Sequence, residues 1–566
     1  MGRLTVLGCV FIMLAACGEQ KPPAATSGPA GEGDSRRARI EAELHQHIAV
    51  LASDEFEGRA PATPGEEKTV AYLQREFAAL GLQPGNGDSW FQEVPVTSVT
   101  VDPSVTLQLR GDDYSRDLVF ATEMAVSTPQ QLESVTVENS DMVFVGYGIV
   151  APERGWNDYA GINVTDKTVV MLVNDPGYTS QDPALFNGNT MTYYGRWSYK
   201  YEEAARQGAA AALIVHETGA AGYPWEVVSV GRKGPQIGLT AADKNIDRVE
   251  VEGWLPLPVA EQVFAAAGLD YQTLKAAATR PGFKAVVMGG LALSATLSNS
   301  VSHALSHNVV ARIPGTRYPD ELIVHSAHWD HLGIKPGLED DGEGDAIYNG
   351  ASDNASGTAA LLALGRLYLA QATAPERSIL LLALTAEESG LLGSRWYAEN
   401  PLYPLATTVA NLNMDNIYKG MDGLSSEVAV VGFGNSELDN YLAEVAAGQD
   451  RVLVQEPNPE KGFYYRSDHF NFAKVGVPAL YTTRSNASRE HGRVWGQNQL
   501  DAFTANDYHK PSDEYSPDWD LSGAAENVLL MYGIGSRLAA SRDFPEWAEG
   551  NEFKDIRDAS EDQRVP

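Results

Sequence analysis

The sequence predicts an α/β protein built on a mixed, mostly parallel sheet with helices on both faces. Three observations predict it. After residue 300, apolar runs at 322–324, 379–384, 409–412, 428–431 and 477–481 alternate with amphipathic segments. Those segments, near 355–370, 389–398, 437–447 and 522–540, are long enough to be the helices between strands. The runs are apolar throughout, as strands covered on both faces require.

The elements before residue 300 follow in order. Met1-Gly2-Arg3 and an apolar stretch from Leu4 to Leu14 have the pattern of a secretory signal peptide. The stretch ends Leu14-Ala15-Ala16-Cys17, which resembles the bacterial lipobox. Residues 1–16 are therefore expected to be removed and Cys17 to be acylated. The expected product is a lipoprotein exported across the inner membrane and anchored on the cell envelope, facing the periplasm or the cell surface. Cys9 and Cys17 are the only cysteines, which excludes a disulfide framework and a thiolate metal site. Residues 17–35, rich in Pro, Gly, Ala and Ser, read as a flexible tether.

From residue 36, Ile40, Leu44, Ile48 and Leu51 recur at helical spacing. A second helix starts at Thr63-Pro64-Gly65-Glu66, where a capping-box pattern meets a first-turn proline; Gly81 ends it. Short β-like runs follow at 104–109 and 118–121. Residues 36–134 and 291–540 are assigned to one domain. Between them, 135–290 reads as an inserted domain: strands at 142–145 and 169–173, a helix at 201–208 and a strand at 209–215, with no dense His/Asp/Glu grouping. The charged tail 541–566 is expected to fray.

Lys and Arg number 42 against 75 Asp and Glu, a net charge of -33. Phosphate binding needs a basic footprint, so nucleic acid is excluded as a partner. No internal apolar run approaches the roughly 20 residues of a membrane-spanning helix.

Five groups stand at the ends of the apolar strand runs or just before helices, where ligands bind in open α/β sheets. They are His328 with Asp330, Asp353, the pair Glu387-Glu388, Asp415, and His509. Asp353 alone could be a helix cap and Glu387-Glu388 a solvated helix start. Together, two imidazoles and three carboxylates without thiols make a donor set suited to hydrolytic zinc. Five ligands for two metals require one to be shared, which a carboxylate can do with its two oxygens.

The ordered set of His-x-Asp (328–330), Gly-Ala-x-Asp-Asn-Ala-Ser-Gly (350–357), Ala-Glu-Glu-x-Gly-Leu-x-Gly-Ser (386–394), Asn-x-Asp (413–415) and the late His509 resembles the secreted dizinc peptidase family. Its members include bacterial leucyl aminopeptidases and glutamate carboxypeptidase II. The middle segment resembles a protease-associated domain, through Val145-Gly146-Tyr147-Gly148-Ile149, Asn157-Asp158-Tyr159 and residues 204–215.

The resemblance implies two zinc ions per chain, His328 and Asp415 holding one, Glu388 and His509 the other, and Asp353 bridging them. It implies a cis bond at Asp353-Asn354, and Asp330 orienting the imidazole of His328. Glu387 is then the general base acting with zinc-bound hydroxide. Tyr464 matches the position that stabilises the oxyanion, with Tyr465 as its competitor. The resemblance gives His331 no metal. The activity implied is an aminopeptidase acting on peptides. A carboxypeptidase or dipeptidase is the alternative, for which Arg466 is the natural carboxylate clamp. A noncatalytic surface receptor and a one-zinc glutaminyl-cyclase-like enzyme are disfavoured, because all five ligands and the base are present.

Overall fold

The computed structural model describes residues 30–335 and 345–564, with side chains from residue 33 onward. The signal-like stretch and Cys17 lie outside the described residues. Among the described residues, no helix is long and apolar enough to cross a membrane.

The first helix, Ala30–Leu51, begins inside the stretch read as a tether. Its stripe of Ile40, Leu44, Ile48 and Leu51 is buried against helices Ser356–Leu369 and Ser522–Ala539. The second, Pro64–Leu80, starts at Thr63 and stops at left-handed Gly81, as expected. The capping box does not form. The Thr63 hydroxyl donates to the Ala60 carbonyl instead. Glu66 is buried and accepts from the Ala62 main chain, the Ser306 hydroxyl and His307, because a carboxylate taken out of water must gather donors.

The main sheet has the predicted class. Strand Tyr318–His328 lies at its centre, parallel to both Arg377–Leu384 and Thr408–Asn413; the latter is parallel to Ala479–Arg484. Antiparallel strands flank this core: Val286–Ile313 on one side, Glu427–Val431 on the other. Alternate residues serve two layers. Ile323, Ile379, Leu381 and Ala383 face the layer of the four helices just named. Leu322, Val324, Leu380 and Leu382 face Tyr397 and Phe472. Trimming one of these leucines to alanine costs about 2–5 kcal/mol.

A second sheet is threaded on the same long strand. Its first half, residues 286–298, pairs with Thr106–Arg110 and Ser134–Phe144. Strands Thr168–Leu172, Ala211–His216 and Val251–Pro256 extend it in parallel. Its limits differ from the expected 135–290. Residues 102–127, read with the first domain, belong here, because Leu107, Leu109 and Leu118 complete this sheet's core with Phe144 and Leu293. The chain leaves the main sheet at Val101 and returns at Asn299, its pairing partner, and in between it lends the main sheet one strand, Gln236–Leu239, antiparallel to residues 96–99.

The tail is packed rather than frayed as far as residue 564. Trp547 and Phe553 are buried with Val431, Phe470 and Tyr481, and Arg557 donates to the Thr408 carbonyl at 3.0 Å. Two spaced aromatics supply enough apolar area to order a charged segment.

Candidate metal centre

The fold brings the five ligand candidates to one place. His328 ends the central strand, Glu387 and Glu388 follow Arg377–Leu384, and Asp415 follows Thr408–Asn413. Asp353 comes from the turn before helix Ser356–Leu369, and His509 from the loop after helix Gly492–Asn506.

Asp353 stands between the two histidines. Its Oδ1 is 3.4 Å from His328 Nε2 and its Oδ2 is 3.3 Å from His509 Nε2. Asp415 Oδ1 lies 3.5 Å from His328 Nε2, and Glu388 Oε2 lies 3.1 Å from His509 Nε2. Two donor groups thus share one carboxylate. Glu387 Oε2 approaches His328 Nε2 at 4.0 Å. The Asp353-Asn354 bond is cis.

The supporting hydrogen bonds correct one expectation. The His328 imidazole donates from Nδ1 to the main-chain carbonyl of Asp330 at 3.2 Å, while the Asp330 carboxylate is 3.7 Å away. That carboxylate accepts the main-chain N–H of Glu387 at 3.1 Å and of Glu388 at 3.4 Å. Asp330 therefore orients the histidine through its backbone and the glutamate pair through its side chain. A loop after a strand end leaves those N–H groups without ladder partners, and a buried carboxylate satisfies them.

Three supporting residues escaped the sequence reading. His331 is buried, with Nδ1 2.7 Å from Glu388 Oε1, so it steadies that carboxylate while Oε2 faces His509. Its only sequence signal is its place beside Asp330. Asp513 accepts the N–H of Ser352 and of Asp353, at 2.9 and 3.0 Å. Arg59 is fully buried and donates to the carbonyls of Leu51, Trp329, Asn349 and Gly350. It ties the first helix to the segments that carry His328 and Asp353.

The electrostatics follow from burying so many acids together. Burial, reinforced by Glu388, Asp415 and Asp468 and opposed by His328, raises the Glu387 carboxyl well above its usual range. Burial also pushes Asp330 up to about 8. Against their own burial, Asp353 and Glu388 are held well below the usual range, chiefly by His328 and His509 for the first and by His509 and His331 for the second. Burial opposes charge on His509, yet Glu388 and Asp353 raise it to about 10. Asp468 is buried with both carboxylate oxygens lacking a hydrogen-bond partner among the described residues.

Tyr464 does not reach this centre. The tight turn Phe463–Tyr465 sends it into a cluster with Phe470, Trp547 and Phe553, and its hydroxyl has no partner among the described residues. Tyr465 packs on Tyr193 of the second sheet's unit and on Phe470. A phenol beside the ligands is Tyr508, stacked on the His509 ring at 4.0 Å. Burial first and Asp353 next keep it protonated, with Arg466 opposing. Its signal was adjacency to a ligand.

Two imidazoles and three carboxylates with no thiol fit zinc, a borderline ion that takes nitrogen and oxygen donors. His328, Glu387 and Asp415 have donor atoms within 4.8 Å of one another, as do His331, Asp353 and Glu388. Residues 308–533 match the sequence profile of peptidase family M28.

Among curated relatives, the chain is 24% identical over 240 residues to a probable leucine aminopeptidase 2 of Aspergillus oryzae, covering 40% of this chain and 43% of that protein. It is 30% identical over 174 residues to a probable glutamate carboxypeptidase of Arabidopsis thaliana, covering 30% of this chain and 21% of that one. The chain thus spans less than half the length of either. Among solved structures, an aminopeptidase from Aneurinibacillus sp. strain AM-1 superposes with a TM-score of 0.50 at 20% identity, covering 89% of this chain and 96% of that one. At that identity the likeness establishes the fold.

Proposed function

We propose that this protein is a dizinc metallo-exopeptidase, an aminopeptidase that removes N-terminal residues from peptides. The observation that carries the reading is Asp353, with one carboxylate oxygen toward each histidine. His328 and Asp415 would hold one zinc, Glu388 and His509 the other, with Asp353 shared. When bound, the two ions supply Lewis-acid polarisation of the scissile carbonyl and acidify water.

The chain's own residues supply the remainder. Glu387, held by Asp330 beside the ligands, takes a proton from the attacking water and delivers it to the leaving amine. The Tyr508 phenol, protonated and stacked on His509, donates toward the oxygen that becomes negative.

The test is zinc-loaded protein with leucine p-nitroanilide and its N-acetyl derivative. The free amine should be cleaved and the acetylated one not. Cleavage of N-acetyl peptides but not of C-terminal amides would favour the carboxypeptidase reading instead. The second sheet's unit is proposed to be a protease-associated insert, and Cys17 a lipid anchor on the cell envelope. Cys17→Ser should move the protein from membrane to soluble fractions; retained fatty-acid labelling would defeat the anchor.

A further inference from the structure

The long strand Val286–Ile313 has an inner edge, paired with Phe91–Val101, and an outer edge that is occupied only at its ends. Ser134–Phe144 pairs with the outer edge as far as Ser298, and Arg377–Leu384 pairs with it from Val309 onward. Between them, among the described residues, 299–308 have a strand partner on the inner edge alone. Hydrogen bonds fix which main-chain groups face outward. The Val310 N–H donates inward to Trp90, and the Ser298 carbonyl accepts inward from Asp102, so even-numbered residues point inward. The Asn299 N–H donates outward to Glu133 at 2.8 Å, and the His307 carbonyl accepts outward from the Trp329 indole at 2.9 Å. Alternation turns the N–H and C=O of Val301, His303 and Leu305 outward, where no described residue meets them.

This gap starts beside the metal centre. His328 pairs with Leu384 and Ala383 with Val309, so the ligand stands level with the near end of the gap. Only the strand Arg377–Leu384 lies between, a sideways distance of about 10 Å. The Ser306 hydroxyl is 2.5 Å from that of Thr385, two residues before Glu387. From His307 to Asn299 the gap runs about 25 Å outward, to Glu133 of the second sheet's unit. Proteins blunt a free edge with charge, proline or a bulge. Residues 300–306 contain no Asp, Glu, Lys, Arg or Pro, and their pairing register has no bulge. Leu305 is exposed. Such an edge is a template for another extended chain.

We infer that Val301, His303 and Leu305 hold the backbone of longer peptide substrates, which add to the sheet as an antiparallel strand. The inference rests on the aminopeptidase reading above, which puts the peptide's N-terminus at the metal end. A chain entering there and running toward Glu133 is antiparallel to Val286–Ile313 and continues the direction of Arg377–Leu384. About three extended residues cover the distance from the centre, so the fourth residue onward meets the edge. A second copy of this chain fits worse. Its strand would run past both ends of the gap into space that Ser134–Phe144 and Arg377–Leu384 already fill.

The experiment measures kcat/KM of the zinc-loaded full chain on leucine-headed peptide amides of two, four and eight residues. We expect a rise of at least about tenfold between four and eight residues. Two further octapeptides carry N-methyl groups on the fifth and seventh residues, or on the fourth, sixth and eighth. One set should lose most of the gain and the other should keep it, because alternate N–H groups face the edge. Leu305→Pro removes an edge N–H and should lower the eight-to-four ratio about fivefold or more; Leu305→Ala keeps that N–H and should hold the ratio within about twofold. A ratio near one, or equal loss in both methylated sets, overturns the inference. Self-association that Leu305→Pro abolishes would give the edge to a second copy and also overturn it. Methylation-sensitive calorimetric binding of the octapeptide, without turnover of any peptide, would instead defeat the aminopeptidase reading and leave the edge standing.

Discussion

The Asp330 carboxylate accepts the main-chain N–H of Glu387 at 3.1 Å, so a buried carboxylate that itself hydrogen-bonds neither histidine sets where Glu387 stands. Asp330→Asn keeps the shape and the carbonyl that holds His328 but removes one acceptor oxygen. Turnover should fall about 10- to 100-fold while zinc content stays near two ions per chain. Kinetics beside elemental analysis decides the matter; activity lost only in proportion to zinc would place Asp330 with the ligands.

Adjacent glutamates are expected to part company. Glu387→Gln should retain zinc and lose about 10³-fold in turnover, as removal of a general base does. Glu388→Gln loses the oxygen that faces His509 and should bind less zinc. Equal zinc loss in both variants would overturn the assignment.

Two tyrosines carry opposite expectations. Tyr508→Phe should cost about 10²- to 10³-fold in kcat with little change in KM. Tyr464→Phe removes a hydroxyl that has no partner among the described residues, so kcat should stay within about twofold of the parent. The reverse ranking would return the oxyanion to Tyr464.

Removing zinc should make stability sensitive to alkali. In the zinc-free protein His509 holds its proton up to about 10, against 6.5 for an ordinary histidine. A folded-state value above the unfolded one means a stabilising contribution that is whole below pH 6.5 and lost as pH rises through 10. Asp330, raised from 3.8 to about 8, acts in the same direction, since its ionisation in the folded state becomes a cost as pH climbs. Thermal melts of zinc-free protein should drop between pH 6.5 and 10. Zinc-loaded protein should drop less, because ligation has already displaced the imidazole protons. Parallel pH curves for the two forms would contradict this.

Much of the centre was legible because ligand chemistry is written in residue type and in position at strand ends. His328, Asp353, Glu388, Asp415 and His509 needed only apolar runs to mark those ends. The helix of Ile40, Leu44 and Ile48 was legible from its period, and Gly81 from its stop. What stayed hidden depends on register and distant packing. Residues 102–127 carry β-like runs that suit either sheet, and only pairing with 286–298 decides between them. Tyr464 was placed by motif spacing, yet a tight turn and the aromatic tail claim it. Arg59 sits far from the ligands in sequence, and its four carbonyl partners exist only once the loops have closed.

The long strand Val286–Ile313 has a consequence for how such a chain could be assembled or rebuilt. Where the backbone departs from the main sheet, the Asp102 N–H donates to the Ser298 carbonyl at 2.9 Å, so departure and return are neighbours. Exchanging everything between them for a short hairpin would lengthen no connection but would take the strand Gln236–Leu239 from the main sheet. The loss would fall on that strand, on the packing of Ile237 and Leu239 beside Ala386 and Leu392, and on the packing of Tyr193 against the 463–470 segment. The second unit is thus joined to the main sheet by two adjacent crossings and one lent strand. Its removal would bare the backbone of residues 96–99 as a new sheet edge, in a cluster that includes Ala386, the neighbour of Glu387.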